Sequence, residues 1–169
     1  MATKMNEKLA RTTIDIPEER RVGLCELLNA RLADLIDLGL MAKQAHWNVK
    51  GPHFIGLHKL FDEIHDAVEG YVDLTAERCA QLGGTAYGTS QAVVETTSLS
   101  EYPREISTGK DHVEAMTRRL FEAGKAVRQA ITTAEDEFED KDTADVLTGI
   151  SRGLDQWRWF VEAHIQADE

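Results

Sequence analysis

Five side chains in the first half of the sequence are nitrogen and oxygen donors of the kind that bind transition metals. His58 and Asp62 are four residues apart, as are Asp73 and Glu77, and His46 precedes both pairs. Residues four apart lie on one face of a helix, one turn from each other. Imidazole and carboxylate ligands together suit iron, manganese or zinc. The spacing therefore predicts metal binding, although either pair alone also fits a solvated polar helix face.

The two pairs cannot bind the same ion within one chain. Asp62 and Asp73 are eleven residues apart on what the periodicity predicts to be one helix, and about 1.5 Å of rise per residue separates them by roughly 16 Å. Either the pairs are separate half-sites, or a second copy of the chain completes each. In the second case, antiparallel helices around a two-fold axis bring His58 and Asp62 of one chain to Asp73 and Glu77 of the other, and His46 adds a nitrogen ligand.

The ligand residues lie beside the apolar face of the predicted helix. Each residue of an α-helix advances by about 100° around the helix axis. With His58 at 0°, Asp62, Asp73 and Glu77 lie at about 40°, 60° and 100° around this axis. The apolar residues of the same helix are centred at about −70°. A polar stripe in this position suits a helix that packs partly against its own bundle and partly against a neighbour. No glutamate in the sequence has a histidine three residues later, which disfavours a di-iron site built within one helix bundle.

Four long segments with helical periodicity must position these residues. They run over about 17–49, 54–82, 102–138 and 143–165. The links between the first two and between the last two are short, so these pairs should be antiparallel neighbours. The link over 83–101 is long, and Ala92, Val93 and Val94 within it predict a short helix. The expected fold class is all-α, a ferritin-like four-helix bundle with a short helix in the long middle connection.

Length and composition fit one domain. The chain has 169 residues, of which 42% are hydrophobic, enough for a sizeable core. We expect a flexible N-terminal tail over 1–16, the bundle over 17–165 and a short C-terminal tail over 166–169. Cys25 and Cys79 lie on apolar helix faces and are expected to be buried thiols. The net charge of −11 argues against a dominant nucleic-acid surface and is compatible with the attraction of cations.

The sequence predicts a cytoplasmic protein, with association with the nucleoid as an alternative. The first thirteen residues lack the apolar core of a signal peptide, and no segment is long and apolar enough to span a membrane. No membrane partner is therefore expected.

Several stretches closely resemble the Dps family of mini-ferritins (DNA-binding proteins from starved cells). They are AHWNVKGPHF at 45–54, LHKLFD at 57–62, DLTAER at 73–78, QLGG at 81–84 and DTAD at 142–145. The resemblance covers most of the chain, from about Cys25 to Glu162.

The resemblance implies a homododecameric hollow shell assembled through two-fold and three-fold interfaces. It also implies an iron-storing ferroxidase that oxidises Fe(II), preferentially with hydrogen peroxide, and protects the cell from oxidative damage. By position, His46, His58 and Asp62 would come from one subunit and Asp73 and Glu77 from its two-fold partner. Two alternatives stay open: a zinc or manganese binder that uses the same site, and a nucleoid protein that compacts DNA with little ferroxidase activity.

The resemblance also implies roles outside the five ligands. Trp47, next to His46, becomes a candidate electron donor, with an interface or core aromatic as the alternative. Acidic residues near the start of the fourth helix would line three-fold pores for iron entry, and Asp140 and Asp145 are the candidates. The basic residues of the N-terminal tail, Lys4, Lys8 and Arg11, would contact DNA phosphates. The negative net charge of the chain would oppose this contact.

His65 and Glu69 fall within or beside the ligand stripe, near about −20° and 20°. We expect them to be polar groups of an interface. The alternative is that they extend a metal path towards the two-fold axis.

Overall fold

The described part of this computed structural model, residues 9–167, contains five α-helices and no β-strand. They are α1 (Glu18–Asn48), α2 (Phe54–Gln81), α3 (Ser90–Thr96), α4 (Gly109–Thr132) and α5 (Lys141–Glu162). A π-helical turn, Thr133–Glu137, follows α4, and a 3-10 turn, Ala163–Ile165, follows α5. The all-α prediction is confirmed, and the short helix lies in the middle connection as expected. None of the described helices has the length and apolar content needed to cross a membrane.

Two helical hairpins pack face to face. The α1 helix packs along α2 and α4 along α5, while α1 against α4 and α2 against α5 close the bundle. Each long helix contributes fully buried apolar side chains to one core, for example Leu28, Phe61, Met116 and Leu147. Cys25 and Cys79 are buried in the same core, as predicted. The predicted pairing of neighbouring helices is confirmed.

The turn between α1 and α2 fixes how the first hairpin is aligned. Gly51 has a φ of +117°, a backbone conformation that side chains with a Cβ rarely adopt. The Lys50 N–H donates to the Ser107 carbonyl at 2.8 Å, which ties this turn to the residue before the N-cap of α4. As a result, the C-terminal end of α1 lies beside the N-terminal end of α2, and His46 lies opposite His58.

The prediction that the third long helix starts near residue 102 is wrong. The helix α4 starts at Gly109, because the Thr108 hydroxyl caps it by accepting the Asp111 N–H at 3.1 Å. Tyr102 is instead a buried anchor of the preceding link, with its hydroxyl 2.9 Å from His112 Nδ1. Earlier in the same link, the buried Asp34 carboxylate accepts the Ser98 N–H at 2.7 Å.

The N-terminal segment lies against the bundle from Leu9 onwards. Leu9, Ile14 and Ile16 pack on the core, and the Ala10 N–H donates to the Gly83 carbonyl at 2.7 Å. Of the tail predicted over 1–16, residues 9–16 are therefore packed against the bundle. Residues 1–8 and 168–169, which hold the rest of the two predicted tails, lie outside the described residues.

A buried ion pair joins the end of α2 to the start of α5. The Arg78 guanidinium donates to Asp140 at 2.9 Å, and both side chains are more than nine-tenths buried. Asp140 also caps α5 by accepting the Asp142 N–H, and it accepts the Thr143 hydroxyl. Burial alone would raise the pKa of Asp140, but the hydrogen bonds from Thr143 and Arg78 outweigh it, and the pKa is lowered.

We predict that Asp140→Asn destabilises the fold by about 3 kcal/mol, because Arg78 would keep its buried charge without a counter-ion. Asparagine still caps a helix, so the decrease in the free energy of unfolding measures the loss of the carboxylate charge. Thermal unfolding at matched subunit concentration measures it. Asp136→Asn, an exposed change in the neighbouring π-helical turn, is the control and should stay within about 0.5 kcal/mol.

The same ion pair predicts acid sensitivity. The pKa of Asp140 is lower in the folded protein than in the unfolded chain, so the unfolded chain binds the proton more tightly. The stabilisation is therefore fully present above the pKa of the unfolded chain, about 3.9, and is lost as the pH falls through the pKa of the folded protein. The stability difference between wild type and Asp140→Asn should shrink over this range. A difference that does not change with pH would contradict the assignment.

Candidate metal centre

The first hairpin stacks two of the predicted ligands against each other. The rings of His46 and His58 are 3.7 Å apart between centroids and nearly parallel, at 19°. His46 Nδ1 lies 2.7 Å from the His58 carbonyl oxygen, and His58 Nδ1 lies 2.8 Å from the His46 carbonyl oxygen. A carbonyl oxygen only accepts, so each ring donates its Nδ1–H. In the neutral rings both Nε2 lone pairs are therefore left for a metal, a common arrangement of metal-binding histidines.

Asp62 joins these histidines one helical turn after His58. Its Oδ1 lies 3.8 Å from His46 Nδ1 and 2.6 Å from Lys43 Nζ, while 43% of its side chain is exposed. The hydrogen bond from Lys43 is the main cause of a lowered pKa for Asp62. The carboxylate is therefore ionised at neutral pH and is already held by a cation of the chain.

Asp73 and Glu77 lie further along α2, exposed and apart from these three residues. Within residues 9–167, no three His, Cys, Asp or Glu side chains form a group that could hold a metal ion. The structure places His46 next to both His58 and Asp62, without closing the three into a metal-binding group, and it leaves the other two predicted ligands outside that cluster. The complete five-residue site stays a prediction, and a single subunit does not contain it.

Lys43 is the neighbour that the sequence analysis missed. It lies one turn before Trp47 on α1, and its Nζ is 5.9 Å from the Trp47 ring centroid. Trp47 itself is 67% exposed. The four-residue spacing of Lys43 and Trp47 is visible in the sequence. The contact with Asp62 is not, because it joins residues nineteen positions apart in different helices.

The two pore candidates differ in the structure. Asp145 is exposed on α5, whereas Asp140 is buried and bound to Arg78 and Thr143 within the same subunit. The environment of Asp140 argues against the predicted pore role, because a carboxylate committed to a buried guanidinium does not line an aqueous channel. Asp145 remains the candidate.

The five predicted ligands lie outside two surface cavities of residues 9–167. These cavities measure about 580 and 610 Å³, and none of the five residues lines either of them. Neither cavity contains the histidine cluster, in which the His46 side chain is 13% exposed and that of Asp62 is 43% exposed.

Comparisons with known proteins agree with the fold. Residues 25–169 match a family described as Ferritin-like domain. The "DNA protection during starvation protein" of Agrobacterium fabrum is 45% identical over 159 residues, which cover 94% of this chain and 98% of the relative.

Solved structures give the same result. The structure of DpsA14 from Streptomyces coelicolor superposes with a TM-score of 0.90 at 35% identity and covers 95% of each chain. That of Mycobacterium smegmatis Dps superposes with a TM-score of 0.88 at 32% identity, over 94% of this chain and 96% of the other.

We predict that Lys43→Met strengthens binding of a divalent metal at the His46–Asp62 cluster, because the ammonium no longer competes for the carboxylate. The gain should be a few-fold, the scale of an exposed ion pair. Calorimetric titration of the assembled protein with Zn(II) measures it. Lys110→Met removes an exposed lysine at the start of α4 and should leave the affinity unchanged. Weaker binding in Lys43→Met would instead mean that Lys43 orients Asp62 for the metal.

Proposed function

Since this chain belongs to the Dps family of ferritin-like proteins, we propose that it oxidises Fe(II), preferentially with hydrogen peroxide, and stores the ferric product inside a hollow twelve-subunit shell. Iron is the substrate and the cargo. The observation that carries the proposal is the stacked His46–His58 pair, whose Nδ1 protons are held by carbonyl oxygens beside the ionised Asp62. Zinc and manganese would suit the same donors, and they are alternative occupants.

The site would be completed by Asp73 and Glu77 of a two-fold partner. Pairing His58 with Glu77 and Asp62 with Asp73 gives the same midpoint on α2, between residues 67 and 68. A single two-fold axis at that point therefore makes both pairings at once. The shared midpoint follows from the equal four-residue spacing of the two pairs, so one axis serves both pairings.

The face that would meet the partner exposes apolar side chains. Leu40 and Trp47 on α1 are 59% and 67% exposed, and Leu74 on α2, next to Asp73, is 52% exposed. Water contact at these residues is unfavourable, and a second copy of the chain would remove it. This supports an interface that contains the site, and it gives Trp47 a packing role beside its proposed role as electron donor.

The chemistry follows from the charges. Fe(II) would displace the Lys43 ammonium from Asp62, and the partner's Asp73 and Glu77 would add anionic oxygen ligands. Hard anionic ligands stabilise Fe(III) more than Fe(II) and so favour oxidation. Two Fe(II) supply one electron each, and one hydrogen peroxide takes both electrons with two protons to give two waters. Peroxide consumed in this way releases no hydroxyl radical.

The proposed shell needs an entrance for Fe(II). A ring of Asp145 side chains at a three-fold axis would concentrate Fe(II) at this entrance.

Compaction of DNA is the second candidate function, because the A. fabrum relative is named for DNA protection. The net charge of −11 per chain opposes it, and Lys4 and Lys8 lie outside the described residues.

We predict that Asp73→Asn with Glu77→Gln sharply slows peroxide-dependent Fe(II) oxidation while the particle size stays the same. Both changes keep the side-chain shape and remove the charge that binds iron. Stopped-flow absorbance of Fe(III) and native-particle size give the two readouts. The pair Glu135→Gln with Asp136→Asn, exposed on the π-helical turn, removes the same charge elsewhere and should leave the rate unchanged.

Mixing variants tests whether the site is shared. Subunits with His46→Asn and His58→Asn are co-refolded with equal amounts of subunits carrying the Asp73 and Glu77 changes. Random pairing restores about a quarter of the sites, since half of the dimers then contain one intact site of two. Recovery near this level supports a shared site. No recovery, with assembly intact, would mean that each subunit binds iron alone.

We also predict weak or undetectable DNA binding at low salt and none at physiological salt, because twelve acidic chains repel phosphate. A gel-shift titration with duplex DNA measures this, and a variant with glutamine at positions 4, 8 and 11 is the control. Tight binding at physiological salt that the variant loses would reverse the ranking of the two functions.

A further inference from the structure

A third histidine on the α1–α2 face is held in the same way as the two predicted iron ligands. His65 Nδ1 lies 3.1 Å from the Gly39 carbonyl oxygen, across the hairpin on α1. The ring therefore donates its Nδ1–H and, when neutral, keeps a lone pair at Nε2. His65 Nε2 lies 3.7 Å from Glu69 Oε1. His46, His58 and His65 thus share one arrangement, in which a carbonyl of the opposite helix fixes the ring.

Glu69 extends this pair away from the bundle. Its side chain is 72% exposed, whereas that of His65 is 21% exposed. On α2 the two residues lie near about −20° and 20°, beside and within the stripe that runs from His58 to Glu77. They stand between the two halves of the predicted iron site, and the proposed function leaves them without a role.

We propose that His65 and Glu69 of two subunits together form a separate metal site on the two-fold axis, for a divalent transition-metal ion such as Zn(II) or Fe(II). This rests on the two-fold pairing of the proposed function. With the axis between residues 67 and 68, His65 faces the partner subunit's Gly70. It then lies within about one residue's rise, about 1.5 Å along the helix, of the partner subunit's Glu69.

Gly70 leaves room for this approach. It has no side chain, and a Cβ added there would meet nothing within 4 Å in the single chain. Two imidazoles and two carboxylates then converge from both sides of the axis. Four nitrogen and oxygen ligands are the number that a tetrahedral Zn(II) site requires.

The charge along α2 gives an independent reason for a cation here. No lysine or arginine occurs between Lys59 and Arg78, and this stretch carries six carboxylates: Asp62, Glu63, Asp66, Glu69, Asp73 and Glu77. Antiparallel pairing brings Asp66 and Glu69 of both chains around the axis. Like charges at close range repel, and the nearby ammonium of Lys43 is already bound to Asp62. A divalent ion at the axis would offset this repulsion.

Zinc titration of the assembled protein tests the proposal. Wild type should bind about half an equivalent of Zn(II) per subunit beyond the iron sites, since one axial site serves two subunits. Two variants, His65→Asn and Glu69→Gln, should each lose this half-equivalent. In Co(II)-loaded protein they should also lose the intense visible absorption of a tetrahedral site. His164→Asn, in the 3-10 turn after α5, is the matched control and should keep both signals.

The variant with Asp73→Asn and Glu77→Gln separates this proposal from the proposed function. It should lose Fe(II) oxidation and keep the half-equivalent of Zn(II), whereas Glu69→Gln should do the reverse. Full Zn(II) binding by His65→Asn and Glu69→Gln, or a wild type without the half-equivalent, overturns the axial site alone. Unchanged oxidation in the Asp73 and Glu77 variant overturns the proposed function alone. Glu69→Gln is isosteric and exposed, so it serves if His65→Asn does not assemble.

Discussion

The unbroken length of α2 is the constraint on which the functional interpretation depends. The helix runs without interruption from Phe54 to Gln81, so Asp62 and Asp73 stay roughly 16 Å apart whatever the side chains do. One subunit can therefore present ligands but cannot close a five-residue site around one ion. The described residues agree with this, since no group of three ligands converges within the chain. Any metal chemistry that uses all five residues must involve two subunits.

The rest of the fold holds this helix and its partner α1 in a fixed alignment. At one end, the turn at Gly51 and the hydrogen bond from Lys50 to Ser107 position His46 against His58. At the other end, Arg78 binds Asp140 at the start of α5. The polar ends of α2 are thus anchored to the second hairpin, while its middle is exposed on one side. Rigidity at the ends lets an open surface keep its ligand geometry before a partner or a metal arrives.

Sequence patterns predict those features that depend on residues close together in the chain. The helices, their pairing and the spacing of His58 with Asp62 follow from periodicity, and the structure confirms the first two. The start of α4 was misjudged, because apolar spacing does not reveal that Tyr102 is buried against His112 or that Thr108 caps the helix. Lys43 and the burial of Asp140 were missed for a related reason. Both depend on contacts between distant segments, which a single sequence does not encode in its local pattern.

The charge distribution links metal binding to assembly. The stretch of α2 between Lys59 and Arg78 carries carboxylates and no basic residue, so two such helices repel each other when they approach without a cation. The apolar Leu40, Trp47 and Leu74 favour the same approach. A site that exists only in the pair binds metal only in the pair, and mass action then makes metal stabilise the interface. The acidic surface that would attract Fe(II) would also repel DNA phosphate. Under the proposed pairing, iron affinity, subunit association and poor DNA affinity are therefore three consequences of one uncompensated stripe of negative charge.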